Sequence, residues 1–141
     1  MQSDCIKLIK VKKQDYKFLY ELLKKRDPRT NISHRKMPTY KEHEKFVASK
    51  PYKAWYVIYT NNIKTGSIYL SKQNEIGIFL SKKYQGKSIG QEALRLLMEM
   101  IPQKRYLANV SPQNTNSAKF FKKNKFRLIQ HTYEYTPSEN Q

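Results

Sequence analysis

Apolar and polar residues recur along the first third of the chain with two different periods. Residues 5–11 (CIKLIKV) alternate between apolar and polar, which is typical of a half-buried strand. The following segment, DYKFLYELLKKR, carries its leucines at helical spacing, so we predict a helix that Asp15 caps and that ends before Pro28. Asp27 to Pro38 shows no clear period, and we predict an excursion over the surface there.

The middle of the chain predicts a short helix and a hairpin. Thr39 is followed three residues later by Glu42, the arrangement of a capping box, so a helix should begin at Tyr40. Residues 54–60 (AWYVIYT) are rich in aromatic and β-branched residues and predict a strand. The pair Asn61-Asn62 fits a turn, after which GSIYLS can pair back on that strand.

A fourth strand, NEIGIFLS, leads through a loop into an amphipathic helix. Gly77 interrupts this strand, which usually marks a bulge or a place where another backbone or a ligand approaches closely. The apolar stripe that begins at Ile89 and stops before Pro102 predicts a helix. A further strand, RYLANV, a fourth helix and a last strand should complete the order. On that last strand His131, Tyr133 and Tyr135 alternate and share one face, where they either line an acceptor pocket or are ordinary amphipathic residues.

Composition bounds the class of protein. With 141 residues, the chain has the size of one domain, and we predict a single domain over residues 1–141. Cys5 is the single cysteine, which excludes an internal disulfide and a cysteine-rich zinc site and favours a reducing compartment. The sequence has neither a signal-peptide pattern nor an apolar run of about 20 residues, so we predict a cytoplasmic protein without a membrane span.

Charge raises the question of a polyanionic partner. The chain carries 28 basic and 11 acidic residues, a formal net charge of +17, which attracts nucleic acids, nucleotide cofactors and nucleotide-linked substrates. The lysines, however, are spread along the whole chain without a tight basic block. A generally lysine-rich surface therefore explains the charge better than a dedicated nucleic-acid groove.

The loop KKYQGKSIG delivers a strand directly into the amino terminus of a helix. Unpaired N–H groups and the positive end of the helix dipole make such a junction an anion site, and Gly86 and Gly90 lack side chains that would keep a phosphate away. The lysines of the loop add charge. The pattern matches neither the Walker loop nor the dinucleotide glycine fingerprint, so a phosphate or pyrophosphate is favoured only modestly over a structural turn.

Two motifs in register resemble one family. Gln85-Gly86-Lys87-Ser88-Ile89-Gly90 resembles the Q/R-x-x-G-x-G/A pyrophosphate loop of the GNAT superfamily of acetyl-CoA-dependent N-acetyltransferases. Further on, Asn114, Ser117, Phe120, Phe121, Lys123 and Phe126 resemble the family's N-x-x-[AS]-x-x-[LF]-Y-x-K-x-G-F block. The order of elements also fits that fold from end to end.

The resemblance implies a cofactor site for acetyl-CoA. Backbone groups of Ile78 and Leu80 would contact the acetyl and pantetheine parts, and Asn114 would bind the pantetheine arm unless it is only a helix cap. Lys123 would face the nucleotide phosphates unless it is a solvated lysine. The N–H groups that would cradle the pyrophosphate belong to Gln85, Gly86, Lys87, Ser88, Ile89 and Gly90.

Three positions depart from the family pattern. Ser88 stands where a loop glycine is usual, so either its φ is negative or serine is tolerated there and its hydroxyl adds a phosphate contact. Lys125 stands where the family has glycine after the fourth helix, and Asn124 can take the left-handed conformation in its place. Phe121 replaces the tyrosine that protonates the departing thiolate in many members, and phenylalanine has no proton to give.

A protonated amine needs a base before it attacks a thioester. Glu75, at the start of the strand that contains Gly77, lies on the same face as Gly77 and Phe79 by alternation, and some members of the family carry a base on this strand. An exposed glutamate at a strand end is the equal alternative. We therefore name Glu75 as the candidate catalytic residue.

These observations predict an α/β (α+β) domain similar to GNAT proteins, with a mixed, mostly antiparallel sheet splayed at the central strand and about four flanking helices. The predicted function is acetyl transfer from acetyl-CoA to a primary amine by direct attack in a ternary complex. The amine belongs to a nucleotide-linked amino sugar, which a weak E-H-x-x-[FW] resemblance around His43 suggests, or to another small amine. No metal is expected, and a homodimer is possible. The alternative is a non-catalytic basic module of the same fold that binds nucleic acid.

Overall fold

The fold, described here from a computed structural model, is built on one antiparallel sheet that follows chain order. The structure describes residues 4–26 and 37–139, so most of the predicted surface excursion lies outside the described residues. Within those ranges the sheet has four strands in the order β1-β2-β3-β4. They are β1 (Ile6–Lys10), β2 (Ala54–Thr60), β3 (Ile63–Leu70) and β4 (Ile76–Leu80).

The predicted hairpin is confirmed and shows why asparagine occupies its turn. Asn61 and Asn62 have φ values of 51° and 68°, the left-handed conformation that a two-residue hairpin turn of type I′ requires and that asparagine tolerates better than most residues. β3 begins at Ile63, three residues earlier than the predicted GSIYLS segment. A register shift between Ile58 and Tyr59 then brings Trp55 opposite Tyr69.

Helices cover the sheet on both sides. They are α1 (Tyr16–Lys24), α2 (Tyr40–Ala48), α3 (Ile89–Met100) and α4 (Thr115–Lys123). The capping box is confirmed, because Thr39 accepts from the Glu42 N–H at 3.2 Å and Glu42 accepts from the Thr39 N–H at 2.9 Å. α3 begins at Ile89 and ends just before Pro102, as its apolar stripe predicts.

Asp15 does not cap α1, so that prediction is wrong. A short 3₁₀ turn, Lys13–Asp15, precedes the helix, and the Asp15 side chain makes no cap hydrogen bond. Its carboxylate is 2% exposed, accepts from the Lys12 N–H at 2.8 Å and lies 2.6 Å from the Lys64 ammonium. Asp15 therefore joins the start of α1 to β3 through a buried ion pair.

The two predicted strands after α3 are not strands in the structure. RYLANV contributes one isolated parallel bridge, between Glu75 and Leu107. Residues 124–136 have neither helix nor strand, so His131, Tyr133 and Tyr135 are exposed residues of an irregular segment and not the face of a last strand. Their alternation describes a chain that can form a strand, but within the described residues no partner strand hydrogen-bonds to it.

The core lies between the sheet and α3. The even-numbered residues of β3 and β4 point to this side of the sheet. Here Ile58 of β2 and Ile68 and Leu70 of β3 are fully buried, and they belong to one core cluster with Ala93 and Leu97 of α3. α1 and α2 cover the opposite face and pack on each other. The strand β4, whose carboxyl end feeds the loop before α3, is thus held between the core and the second face.

Candidate active site

The outer edge of β4 is paired for only one residue and then opens. Ile76 donates its N–H to the Leu107 carbonyl at 2.7 Å, and Leu107 donates to Asn74 at 2.9 Å. Backbone groups of alternate residues point to the same edge, so Ile78 and Leu80 face this side too, yet no hydrogen bond joins either residue to segment 105–110. The sheet therefore splays from Gly77 onward, as the sequence predicts.

The loop after β4 is tied back onto the strand by a side chain. A short 3₁₀ turn, Lys82–Tyr84, follows the strand, and Gln85 donates its Nε2–H to the Leu80 carbonyl at 3.0 Å. Gly86 and Ser88 then adopt left-handed φ values of 74° and 65°. Of the two alternatives for Ser88, a negative φ is therefore excluded, and serine is tolerated in the left-handed conformation.

Backbone donors accumulate where this loop enters α3. In the described part of the chain, the N–H groups from Gly86 to Gln91 donate no hydrogen bond. The positive end of the α3 dipole lies at the same place, and the side chains of Lys82, Lys83 and Lys87 are exposed around it. The arrangement can bind a phosphate or pyrophosphate through fixed backbone dipoles.

Gly86 and Gly90 are glycines for different structural reasons. A Cβ atom at Gly86 would meet nothing within 4 Å, so glycine is favoured there by its positive φ and not by a lack of space. A Cβ atom at Gly90 would lie 3.4 Å from the Phe120 ring and 3.6 Å from Ile78, which is ordinary contact. Gly90 is buried, so a ligand can contact this residue only through its backbone N–H group. The same holds for Ile89, whose side chain is 2% exposed and belongs to the core.

Glu75 lies at the point where the sheet begins to splay. Its carboxylate accepts from the Ser71 hydroxyl at 3.2 Å and from the side-chain amide of Asn109. The side chain is half-buried and is therefore not the freely exposed strand-end glutamate of the alternative interpretation. These bonds orient the carboxylate and connect β4 to segment 105–110 beside the open edge.

An aromatic cluster covers the sheet face on which Glu75 lies. It comprises Phe46, Tyr52, Trp55, Tyr69 and Phe79, with ring centroids 3.8 to 6.3 Å apart between neighbours. The rings of Tyr52 and Tyr69 stack 3.8 Å apart at an interplanar angle of 3°. A Cβ atom at Gly77 would lie 2.1 Å from the Tyr69 ring, so Gly77 makes room for a side chain and not, as we expected, for a bulge or a foreign backbone.

Burial sets the protonation of this cluster. Burial first, and the neighbouring Tyr69 hydroxyl second, raise the pKa of Tyr52, and burial also raises the pKa of Tyr69. The Arg26 guanidinium lies 4.1 Å above the Phe79 ring, and burial lowers the pKa of Arg26 against the opposing effect of the two tyrosines. An arginine remains charged under these conditions, so the site presents neutral phenols and one fixed cation.

Comparison with protein families gives the class of this site. Residues 6–127 match the family model described as Acetyltransferase (GNAT) domain. The chain belongs to the GNAT acetyltransferase family. It is therefore an acetyltransferase that uses acetyl-CoA as co-substrate. A comparison of the sequence with curated proteins finds no match.

Solved structures show the same fold at low sequence identity. A domain from Methanocaldococcus jannaschii superposes with a TM-score of 0.80 at 22% identity, covering 94% of each chain. A ribosomal-protein alpha-N-acetyltransferase, RimL, in complex with coenzyme A gives 0.73 at 19% identity, covering 91% of this chain and 83% of that one. A spermidine N-acetyltransferase from Vibrio cholerae gives 0.71 at 14% identity, covering 89% and 81%.

In this GNAT protein the residues of the second motif form α4. Asn114 accepts from the Ser117 N–H at 3.1 Å and so caps the helix, which leaves its side-chain NH₂ group without an acceptor in the described chain. Lys123 is exposed in the last turn. Lys125, not Asn124, takes the left-handed conformation, with a φ of 71°. Phe120 connects this helix to the loop through its contact with Gly90.

Phe121 lies in an apolar environment. Its side chain is 6% exposed, and the rings of Phe120 and Phe126 lie 5.1 Å away on centroid distance. The position that carries a hydroxyl in many GNAT proteins is therefore part of the packing here.

Sequence reasoning did not find Tyr52, Tyr69, Arg26 or Asn109. For Tyr69, the connection between β3 and β4 sets the register that puts it opposite Gly77. Asn109 and Arg26 gave no signal, since only the fold brings them to the site. Within the described residues, no group of three or more His, Cys, Asp and Glu side chains is arranged to bind a metal ion, and no helix combines the length and the apolar character of a membrane span.

Proposed function

We propose that the protein transfers the acetyl group of acetyl-CoA to a primary amine by direct attack in a ternary complex. The observation that carries this proposal is that the open edge of β4 leads directly to the N–H groups from Gly86 to Gln91. The hydrogen bond from the Gln85 side chain to the Leu80 carbonyl holds the loop against the end of the strand. An extended amide chain fits the open edge, and a pyrophosphate fits the N–H groups.

In this proposal the backbone of Ile78 and Leu80 pairs with the pantetheine arm, and the loop residues Gln85 to Gly90 hold the pyrophosphate. The side-chain NH₂ group of Asn114 donates to the pantetheine arm while its oxygen continues to cap α4. Lys123 contributes charge to the nucleotide phosphates. A groove of about 630 Å³ that begins at Lys87 and Ser88 and reaches Asn124 adds room for the nucleotide beside the loop.

The chemical step requires one proton acceptor and one oxyanion donor. The Glu75 carboxylate takes a proton from the acceptor ammonium, and the neutral amine attacks the thioester carbonyl carbon. A new C–N bond forms, the nitrogen gives its second proton to water, the C–S bond breaks, and the coenzyme leaves as a thiolate that takes up a proton from water. The N–H of Ile78, fixed on the open edge, donates to the carbonyl oxygen as negative charge develops there.

The departing thiolate needs little assistance. An alkyl thiol has a pKa close to the ~8.5 of cysteine, so the thiolate is an adequate leaving group near neutral pH. A general acid typically contributes ~10² to 10⁴-fold, and water can supply part of that contribution where Phe121 cannot.

Charge favours an amine on an anionic molecule. RimL acts on a ribosomal protein and the Vibrio relative on spermidine, so the fold accepts both kinds of amine. Here the net charge of +17 and the Arg26 guanidinium beside the aromatic cluster repel a polycation such as spermidine. A nucleotide-linked amino sugar carries both the amine and the negative charge. The lone exposed Cys5 favours a cytoplasmic setting for the reaction.

The experiment for the co-substrate site compares two substitutions at Gly86 by calorimetric titration with acetyl-CoA. Asparagine tolerates a positive φ, so Gly86→Asn should bind within about threefold of wild type. Gly86→Val cannot hold that φ without strain and should bind at least about tenfold more weakly while remaining folded by circular dichroism. Equal affinity in a folded Gly86→Val protein would overturn the assignment of this loop.

A further inference from the structure

The acidic residues of the chain are distributed unevenly. None lies between Glu99 and Glu134, a stretch that carries seven cations. These are Lys104, Arg105, Lys119, Lys122, Lys123, Lys125 and Arg127. All seven side chains are exposed, and no salt bridge within the described residues involves any of them. Lysines occur along the whole chain, but the anions that would neutralise them are missing from this part.

The imbalance is largest at α4. Of the four helices that the structure describes, α4 alone has cations and no carboxylate, whereas the other three carry both. Lys119, Lys122 and Lys123 are three and four residues apart, so they are neighbours on one exposed face of the helix. Lys125 and Arg127 continue the positive charge beyond the end of α4. We call these five residues the basic segment.

The exposed face of α4 has the chemistry of a phosphate-binding surface. Besides its lysines it exposes Thr115 and Asn116, which are small and polar, and no large apolar side chain. The centre of a protein–protein interface is enriched in apolar and aromatic residues and depleted of lysine, and a helix that lies on a membrane inserts an apolar face. Interfaces with nucleic acids are polar and strongly basic. Charge complementarity therefore favours a nucleic acid.

Exposed aromatic rings follow the basic segment along the chain. Tyr133 and Tyr135 are 89% and 75% exposed, and the His131 ring lies 6.3 Å from the ring of Tyr133. At most about 22 Å of extended chain separates Arg127 from Tyr133. Proteins that bind single strands combine a basic path for the phosphates with aromatic rings on which the bases stack. The bases of a duplex already stack on one another, so the rings favour a single strand.

We propose that the protein binds a single-stranded nucleic acid, with phosphates on the basic segment and bases stacked on Tyr133 and Tyr135. This activity does not depend on acetyl transfer, and Lys123 is the one residue of the surface that also belongs to the proposed coenzyme site. Phosphate contacts release counterions and therefore weaken with salt, whereas stacking has no such ionic component. The two contributions can thus be measured separately.

Fluorescence anisotropy of a labelled oligonucleotide of about 12 nucleotides measures binding by the full-length protein between about 50 and 200 mM salt. The triple variant Lys119→Gln/Lys122→Gln/Arg127→Gln loses three phosphate contacts, so the slope of log K against log salt should fall in magnitude by about 2. The matched control removes three exposed lysines of α1 and α2 and should leave the slope unchanged. Its substitutions are Lys17→Gln, Lys41→Gln and Lys45→Gln.

The stacking contribution has its own pair of variants. Tyr133→Ala and Tyr135→Ala should each weaken binding by about tenfold at every salt concentration without changing the slope. Tyr133→Phe and Tyr135→Phe keep the rings and should bind as the wild type does. Circular dichroism and acetyl-CoA binding verify that every variant is folded. The same sequence is offered as RNA and as DNA, and the tighter of the two identifies the source of the strand.

Three results would overturn the proposal. Equal salt slopes for the two triple variants would mean that the overall charge of the protein, and not the basic segment, attracts the strand. Unchanged affinity in the folded alanine variants, or tighter binding of the duplex than of the single strand, would exclude stacking. A glutamate peptide of the same length that binds as tightly as the oligonucleotide would identify a surface for acidic proteins.

Discussion

The ring of Tyr69 lies across Gly77 on the neighbouring strand, where a Cβ atom would come within 2.1 Å of the ring. The two residues are directly opposite each other in the β3–β4 register. Tyr69 can therefore stack on Tyr52 and contact Phe79 only because residue 77 has no side chain. The shape of the surface beside Glu75 depends on this pair.

Gly77→Ala should destabilise the protein by about 1–3 kcal/mol, because the new methyl group displaces the Tyr69 ring from its place in the cluster. Chemical denaturation measures the change. Gly90→Ala is the control, since its methyl group would meet Phe120 at an ordinary 3.4 Å and lies in a helix, where alanine is favoured. Equal effects of the two substitutions would contradict the packing described for Tyr69.

Glu75→Gln should leave acetyl-CoA binding intact and reduce turnover by ~10² to 10⁴-fold, because a carboxamide cannot accept the proton of the amine. Raising the pH should partly rescue the variant, since more of the amine is then already neutral. A pH profile of turnover for both proteins measures this. Asn109→Ala is an informative companion, because it removes the partner that orients the carboxylate and leaves the base itself in place. Profiles that coincide would exclude Glu75 as the base.

Phe121→Tyr should not raise turnover and should cost about 1–3 kcal/mol of stability, because the added hydroxyl enters a buried site between Phe120 and Phe126. Phe46→Tyr makes the same chemical change where the ring is 46% exposed and should change stability by less than about 0.5 kcal/mol. Thermal or denaturant unfolding and the turnover assay give both quantities. A faster Phe121→Tyr enzyme would show that the new hydroxyl reaches the departing sulfur.

Lys125→Gly should stabilise the protein by about 1 kcal/mol, because lysine is strained at a φ of 71° and glycine is not. Lys122→Gly, which removes a lysine from the last turn of α4, should instead destabilise by about 0.5–1 kcal/mol. Both changes remove one positive charge, so the difference between their effects on stability reports the backbone conformation and not the charge. A Lys125→Gly protein no more stable than wild type would contradict the left-handed conformation.

His43 should make stability dependent on pH below neutrality. Burial lowers the pKa of His43 in the folded state, and a hydrogen bond with the Tyr16 backbone opposes this only in part. The unfolded chain then binds the proton first, so stability is complete above pH ~6.5 and falls as the pH drops below that value, by at most ~1.4 kcal/mol per pH unit. His43→Leu should flatten this part of the pH dependence, because leucine cannot bind a proton. Superimposable curves for wild type and His43→Leu between pH 5 and 6.5 would exclude this effect.

Elements whose determinants are local could be predicted from the sequence. The Thr39–Glu42 box, the Asn61-Asn62 turn and the start of α3 at Ile89 each depend on a few neighbouring residues, and each is confirmed. That the loop binds a phosphate stays a prediction, and it is likewise local, because it depends on a strand that runs into a helix.

Features that depend on distant residues could not be predicted. RYLANV has the composition of a strand, but a strand exists only where a partner supplies its hydrogen bonds, and the structure provides one bridge at Leu107. Asp15 resembles a cap in sequence, yet Lys64, far along the chain, holds its carboxylate. Arg26 and Asn109 likewise lie at the candidate site only because the fold brings together residues that are distant in the sequence.

Amine-dependent release of free thiol from acetyl-CoA tests the central claim most directly. The purified protein would be offered paired amines that differ in an attached nucleotide, namely an amino sugar and its nucleotide-linked form, together with spermidine. Acetyl transfer by a ternary complex predicts thiol release that requires the amine, with the anionic amine the best acceptor and spermidine the poorest. Release that is the same without any amine, or absent with every amine while acetyl-CoA still binds, would contradict the assignment of N-acetyltransfer.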